Sequence, residues 1–138
     1  MIIDATDLIV GRLASFVAKK ALLGEEIFIV NCEKAMMTGN KKEVLKRYKE
    51  KKQIKAPGKG PYLYKMPDRF VKRIIRGMLP YKKERGKKAF KRIKCYIGVP
   101  EKFSNKKLET IQEANISKVP NLKYISIKEI CKSIGAKI

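Results

Sequence analysis

Four cations in the middle of the chain recur at the spacing of one helical face. Arg69, Lys72, Arg73 and Arg76 stand at i, i+3, i+4 and i+7, which places them on the same side of an α-helix. Cations at this spacing can contact successive phosphates of a nucleic-acid backbone, and each guanidinium can hold two phosphate oxygens. The alternative is a solvated basic face, the usual meaning of a short run of charge. We favour phosphate binding because the positive excess extends far beyond this helix.

The positive charge is concentrated in a central segment, residues 41–94. The 138-residue chain contains 34 Lys and Arg against 13 Asp and Glu, a net charge of +21. The central segment carries +18 of this, whereas residues 1–40 carry −1 and residues 95–138 carry +4. So large a charge destabilises a compact domain by self-repulsion unless a polyanion neutralises it. The composition therefore predicts a nucleic-acid partner, with an anionic membrane surface or an acidic protein as alternatives.

The central segment is expected to contact the phosphate backbone and the shape of RNA more than the edges of its bases. Lys outnumbers Arg by 27 to seven, and a Lys ammonium is a point charge with little base-reading geometry. Tyr62 and Tyr64 lie among lysines in a Gly/Pro-rich loop; they could stack on unpaired bases or pack back on the domain. The predicted RNA-binding residues are Lys41, Lys59, Tyr62, Tyr64, Lys65, Arg69, Lys72, Arg73, Arg76, Lys82, Lys83, Arg85, Lys87, Lys88, Lys91 and Arg92.

Residues suited to catalysis or metal binding are few. The chain has no His, which excludes His-containing catalytic triads and Cys/His zinc sites. The glycines around Lys59 do not form the frame of a phosphate loop. The three cysteines are too widely spaced for a zinc motif and are expected to be reduced thiols of a cytosolic protein; they are Cys32, Cys95 and Cys131. We predict no catalytic residue, metal, cofactor or small-molecule substrate.

Two alternatives to a structural RNA-binding protein are a nuclease and a membrane-associated protein. A metal-dependent nuclease or RNA-processing enzyme could use Asp4, Asp7 and Glu33, but Asp7 is more simply interpreted as a helix cap. A peripheral membrane protein would need an amphipathic helix with exposed bulky apolar residues, and the apolar faces here are expected to form a core. No apolar run approaches the ~20 residues of a membrane span.

The pattern of apolar residues around the basic segment predicts a single α/β domain over residues 1–138. Residues 1–3 and 27–30 are short apolar runs, and a run that is apolar on both faces is typical of a strand in a parallel sheet. Between them, apolar residues at helical spacing predict a helix that Thr6 or Asp7 caps and Gly24 ends. Strand, helix and strand in this order form a βαβ unit.

The remaining chain alternates helices with loops. Helices are predicted over residues 41–53 and 67–76, and the intervening residues 54–66 form a Gly/Pro-rich loop. The basic stretch 81–94 is expected to be partly helical around Ala89, Phe90 and Ile93. A strand is predicted over residues 95–99, and Ser126 is expected to cap a last helix that ends before Gly135. The pattern over residues 103–120 predicts no single structure.

Several motifs resemble those of the universal L13 family of large-subunit ribosomal proteins. The resemblance covers about residues 2–100. The segment from Gly60 to Tyr64, the short length and the lack of His are similar to the archaeal branch. The motifs are Asp4-Ala5-Thr6 with Gly11-Arg12-Leu13-Ala14-Ser15, Val30-Asn31-Cys32-Glu33-Lys34 with Thr38-Gly39-Asn40-Lys41, Arg76-Gly77-Met78-Leu79-Pro80, and Lys94-Cys95-Tyr96-Ile97-Gly98.

The resemblance implies a three-layer α/β/α fold with a parallel sheet of about four strands, and the basic segment would form a helical and loop extension. It also implies a structural place on the solvent side of the large ribosomal subunit in the cytoplasm. There the protein would bind large-subunit rRNA, contact neighbouring ribosomal proteins and act early in assembly.

Overall fold

A computed structural model of the chain describes residues 1–54, 58, 60 and 62–138. Over these residues it contains five α-helices and five short strands, joined in places by 3₁₀ turns. In chain order the elements are β1 (Ile2–Asp4), α1 (Val10–Leu22), β2 (Ile27–Val30), β3 (Met36–Thr38), α2 (Lys41–Gln53), α3 (Pro67–Gly77), α4 (Glu84–Lys91), β4 (Ile93–Cys95), β5 (Tyr124–Ser126) and α5 (Ile127–Ser133).

The main sheet is parallel and has the strand order β1-β2-β4. Beyond β1, Ile3 forms an isolated parallel bridge with Glu109. The Asp4 amide donates to the Glu109 carbonyl at 2.8 Å, and the Glu109 amide donates to the Ile2 carbonyl at 2.8 Å. The predicted parallel sheet is therefore confirmed, and its fourth position is occupied by one bridged residue rather than a full strand.

The two faces of the sheet are covered differently. Ile27, Ile29 and Ile93 are fully buried on the side where α1 packs against α3 and α4. On the other side the Phe28 ring lies 5.1 Å from the ring of Phe103, which belongs to a 3₁₀ turn at Glu101–Phe103. The predicted mixed α/β architecture is confirmed, with this turn in place of a long helix on the second face.

Helix α1 begins later than the sequence suggested. Neither Thr6 nor Asp7 caps it, because the residue before its first turn is Ile9, which makes no side-chain capping bond. Thr6 instead donates its hydroxyl to the Asp4 carboxylate at 2.6 Å, and Asp7 has a left-handed φ of 57°. Tertiary bonds hold this entry to the helix, since the Ile9 amide donates to the Ala114 carbonyl at 2.7 Å. The predicted end at Gly24 is confirmed by its φ of +101°.

The fourth strand in the chain is shifted from its predicted position. Strand β4 covers residues 93–95, whereas the sequence predicted residues 95–99 and placed Ile93 on a helix. Ile93 pairs with Ile27 of β2 and is fully buried, while Ile97 is exposed. The chain turns away after the strand because Gly98 adopts a φ of +66° and donates its amide to Glu33 Oε2 at 3.1 Å.

A second, antiparallel pair of strands was not predicted. Strands β3 and β5 pair with Met37 opposite Ile125, and Ile125 is buried. Three-residue strands give too short an alternation to stand out in a sequence. Ser126 then caps α5 as predicted, since its Oγ accepts a bond from the Glu129 amide at 3.3 Å.

The three cysteine thiols are free, as expected. Cys32 and Cys131 are buried, and Cys95 is half-buried. A hydrogen bond with the Cys95 thiol, together with burial, raises the pKa of Cys32 well above its ordinary value. Burial raises the pKa of Cys131 to about 12. Both thiols therefore stay protonated at neutral pH and behave as small core residues.

Candidate nucleic-acid interface

Packing of α3 on the core fixes the direction of its cations. Pro67 occupies the first helical turn, where its missing amide removes no helical hydrogen bond. Phe70, Val71 and Ile75 are buried against the rest of the domain. The opposite side of the helix must then face outward, and it carries the row of cations singled out in the sequence. Of these, Arg69 and Arg73 are exposed, and Lys72 and Arg76 are half-exposed.

The cations of α3 line three adjoining surface depressions that share lining residues, and we call these depressions together the basic trough. Its central part has a volume of about 250 Å³ and is lined by Tyr64, Arg69, Lys72, Arg73, Arg76 and Phe90. One adjoining part, of about 290 Å³, shares Arg69 and Lys72 and adds Lys94. The other, of about 440 Å³, shares Arg76 and Phe90 and adds Lys87, Lys88 and Lys91. The basic trough is thus lined by eight cations from α3, α4 and β4.

Helix α4 and the turn before it form the second wall of the basic trough, and each contacts a cation of α3 through an aromatic ring. The Lys72 ammonium lies 4.7 Å from the centre of the Phe90 ring, and the Arg76 guanidinium lies 4.3 Å from the Tyr81 ring. These cation–π contacts hold the charged groups in place while leaving their polar edges accessible. A Cβ on Gly86 would lie 2.0 Å from the Pro80 carbonyl oxygen, so only glycine permits α4 to pack so closely on the preceding turn.

The basic trough keeps its positive charge available for an external anion. In the described part of the chain there are two salt bridges, Lys20–Glu25 at 3.5 Å and Lys41–Glu129 at 2.7 Å, and both lie elsewhere. Glu84 lines one end of the trough and Asp68 the other. Neighbouring cations that are not neutralised by salt bridges are the arrangement that phosphate binding requires.

The structure brings together half of the predicted RNA-binding residues and places others apart. Those lining the basic trough are Tyr64, Arg69, Lys72, Arg73, Arg76, Lys87, Lys88 and Lys91. Lys82, Lys83 and Arg85 are exposed beside it, on the turn before α4 and on its first residues. Tyr62 is exposed and lines a separate cavity. Lys59 lies outside the described residues.

Two predicted RNA-binding residues have polar partners within the protein, and a third lies near the end of α5. Lys41 forms the salt bridge with Glu129 of α5. Arg92 donates from Nη1 to the Ala21 carbonyl at 2.9 Å, which satisfies a carbonyl in the last turn of α1. A Cβ on Gly135 would lie 3.8 Å from Lys65 Nζ, so this ammonium lies near the end of α5. None of these three side chains is among those that line the basic trough.

Sequence reasoning missed some cations that the structure exposes as a group. Lys94 belongs to the basic trough, although the sequence indicated it only as the end of the basic stretch 81–94. On α2, Lys42, Lys46 and Lys49 line a further depression of about 480 Å³. Their i, i+4, i+7 spacing is the signal that identified the cations of α3, and it could have identified these as well. The sequence indicates for Phe90, the aromatic wall of the trough, only a place in a partly helical stretch.

Two of the three carboxylates considered for a nuclease, Asp4 and Glu33, accept hydrogen bonds within the protein. Asp4 Oδ1 accepts bonds from the Thr6 amide at 3.0 Å, the Thr6 hydroxyl at 2.6 Å and the Asn31 side chain at 3.0 Å. Burial opposes ionisation of Asp4, but the bonds from Thr6 and Asn31 outweigh it and lower its pKa below the ordinary 3.8. Within the described ranges, no three His, Cys, Asp or Glu side chains cluster so as to hold a metal ion.

Acid should weaken the fold partly through Asp4. Because the folded state lowers the pKa of Asp4, its stabilisation is present above pH 3.8 and is lost as pH falls below that value. In Asp4→Asn the side-chain oxygen can still accept bonds but no longer titrates, so the free energy of unfolding should fall less steeply below pH 4. Urea titrations between pH 2.5 and 6 measure this. Parallel curves for the two proteins would show that Asp4 contributes nothing to the acid sensitivity.

The fold and the basic trough define a class of protein, an α/β domain with a cationic face suited to a polyanion. Comparison with known proteins identifies the family. The family model described as Ribosomal protein L13 matches residues 1–102. The chain belongs to the ribosomal protein L13 family, as the sequence motifs indicated.

Archaeal relatives match almost the whole chain. The large ribosomal subunit protein uL13 of Methanosarcina barkeri is 47% identical over 137 residues, covering 99% of this chain and 98% of the relative. That of Methanococcus maripaludis is 47% identical over 142 residues, with the same coverage. That of Methanocaldococcus jannaschii is 46% identical over 140 residues, again with 99% and 98% coverage. The family consists of structural ribosomal components rather than enzymes.

Among the described residues, no helix is both long and apolar enough to cross a membrane.

Proposed function

We propose that the chain is a structural constituent of the large ribosomal subunit and docks on its rRNA through the basic trough. The observation that supports this docking surface is that eight cations from α3, α4 and β4 line adjoining depressions that share residues. Family membership supports the place in the large subunit. It does not favour the alternative of an RNA-processing enzyme or nuclease.

The rest of the domain serves as the scaffold for this surface. Residues 1–138 act as one domain, in which the sheet and α1 hold α3 in place and residues 41–94 form the docking segment. We propose that the predicted RNA-binding residues contact rRNA and that those lining the basic trough make the main contacts. Because most of the cations are lysines, contact with phosphates and with rRNA shape dominates.

The cellular setting follows from the same proposal. The chain works in the cytoplasm within the ribosome, contacts neighbouring large-subunit proteins and joins the subunit early in assembly. An early role fits a protein whose net charge of +21 screens the repulsion between folded rRNA segments that must approach each other.

Fractionation of cell extract tests the place in the large subunit. On a sucrose gradient at moderate salt, the chain should sediment with large subunits, because the trough holds it on rRNA. After RNase digestion it should move to the top of the gradient. A chain that sediments only with small subunits, or that stays free before digestion, would contradict the proposed function.

A further inference from the structure

A second cavity lies beside the basic trough, between α2 and α3. Its volume is about 400 Å³, within the range of ~300–1,000 Å³ typical of small-ligand pockets. Tyr64 and Arg73 line both this cavity and the central part of the trough. The two therefore adjoin, and one ligand could occupy both. We call this space the aromatic cavity.

The floor of the aromatic cavity is preformed. The rings of Tyr48 on α2 and Phe70 on α3 lie 5.2 Å apart at 58°, an arrangement that aromatic pairs favour. Phe70 is buried, and the Tyr48 hydroxyl donates to Met37 Sδ at 3.7 Å. The Lys51 ammonium lies 5.0 Å from the centre of the Tyr48 ring. A ligand entering the cavity would meet aromatic side chains whose positions are already set by the core.

The rim of the aromatic cavity exposes large apolar groups beside cations. Tyr62 is 79% exposed, Ile54 is 60% exposed and Tyr64 is 43% exposed. The Tyr62 hydroxyl donates to the Gly58 carbonyl at 3.3 Å, which helps orient its ring. Exposed aromatic rings that border an apolar cavity indicate a binding site rather than core packing.

We infer that the aromatic cavity receives one unpaired nucleobase of the large-subunit rRNA, with the adjoining phosphate held by Arg73 in the basic trough. This inference rests on the proposed function. A nucleobase joins a flat aromatic ring to an anionic backbone, and the cavity joins aromatic walls to a cationic rim. Unpaired RNA bases are commonly held by stacking on aromatic side chains. An apolar side chain from a neighbouring protein would fill the cavity but would leave the Arg73 and Lys51 charges without an anionic partner.

Removing both rim tyrosines tests the inference. For the full-length double variant Tyr62→Ala/Tyr64→Ala, the affinity for protein-free large-subunit rRNA should fall about five- to a hundredfold, the value of one lost stacking contact. The salt dependence of binding should be unchanged, because no cation is removed. The matched control is Tyr124→Ala in β5, which is 41% exposed and should leave the affinity unchanged. Circular dichroism should show that all variants fold, since these side chains are exposed.

Base-modification footprinting gives an independent readout. With the wild-type chain bound, at least one unpaired base of the rRNA should be protected from dimethyl sulfate or carbodiimide, and the double variant should restore its reactivity. An affinity and footprint like wild type, while Arg73→Gln weakens binding, would overturn the nucleobase site and leave the proposed function standing. If the double variant lost affinity only for subunits that contain other proteins, the cavity would hold a protein side chain rather than a nucleobase. Failure of the wild-type chain to bind rRNA would overturn the proposed function itself.

Discussion

Replacing Arg69, Lys72, Arg73 and Arg76 with Gln is expected to lower the affinity for large-subunit rRNA about a thousandfold at moderate salt. All four side chains line the central part of the basic trough. If each contributes one charge-assisted phosphate contact worth about 1 kcal/mol, the four together cost about 4 kcal/mol. A filter-binding titration of the isolated chain with protein-free rRNA measures the loss.

The quadruple variant should still fold. Gln is a good helix former, and the apolar side of α3 keeps Phe70, Val71 and Ile75 in the core. The substitutions remove two cation–π contacts, from Lys72 and Arg76, but they also reduce the self-repulsion of a chain with a net charge of +21. We expect an unchanged circular dichroism spectrum.

A matched variant separates a defined docking surface from a diffuse positive field. The C-terminal flank offers four lysines that are all exposed, and changing them to Gln removes the same total charge; they are Lys118, Lys123, Lys128 and Lys132. If the basic trough is the docking surface, this variant should lose affinity only a few fold through long-range attraction. Equal losses in the two variants would mean that the whole charge acts as an unstructured cloud.

The second large effect is the salt dependence of rRNA binding. Eight cations line the basic trough. If about eight phosphates are engaged, the slope of log affinity against log salt should be about −6 to −7. Between about 50 and 200 mM salt the affinity should therefore fall by three or more decades.

Titrations at five or more salt concentrations measure the slope for the wild-type chain. The slope reflects cations released from the RNA. Replacing chloride with a bulkier monovalent anion should therefore shift the affinity but leave the slope unchanged. A slope near −2 would show that most trough cations face solvent in the complex.

The larger elements of the fold were predictable because their patterns are long. The 13-residue helix α2 has the predicted bounds, and α3 ends one residue later than predicted. The three-residue strands were harder to predict from the sequence. Strand β4 was displaced because Ile93 follows a helix directly, and its pairing with Ile27 depends on a contact across 66 positions of sequence that no local pattern records. The entry to α1 was missed for a similar reason, since tertiary backbone bonds replace the cap.

The candidate site was predictable in composition but not in geometry. The row of cations on α3 follows from helical spacing alone, and the structure places all four on one surface. What the sequence could not supply was the second wall. That wall depends on the close approach of Gly86 to Pro80 and on Phe90 lying under Lys72. The partners of Lys41 and Arg92 within the folded chain, Glu129 and the Ala21 carbonyl, could not be predicted either, because both lie far away in sequence.

The most direct test of the basic trough is to measure the salt slope of rRNA binding for the two quadruple Gln variants side by side. A phosphate contact that is lost flattens the slope by about 0.7 to 0.9. Neutralising Arg69, Lys72, Arg73 and Arg76 should therefore flatten it by about three units, whereas neutralising Lys118, Lys123, Lys128 and Lys132 should change it by less than about one. If the C-terminal variant flattened the slope as much, or the trough variant left it unchanged, the phosphates would lie on another face of the protein.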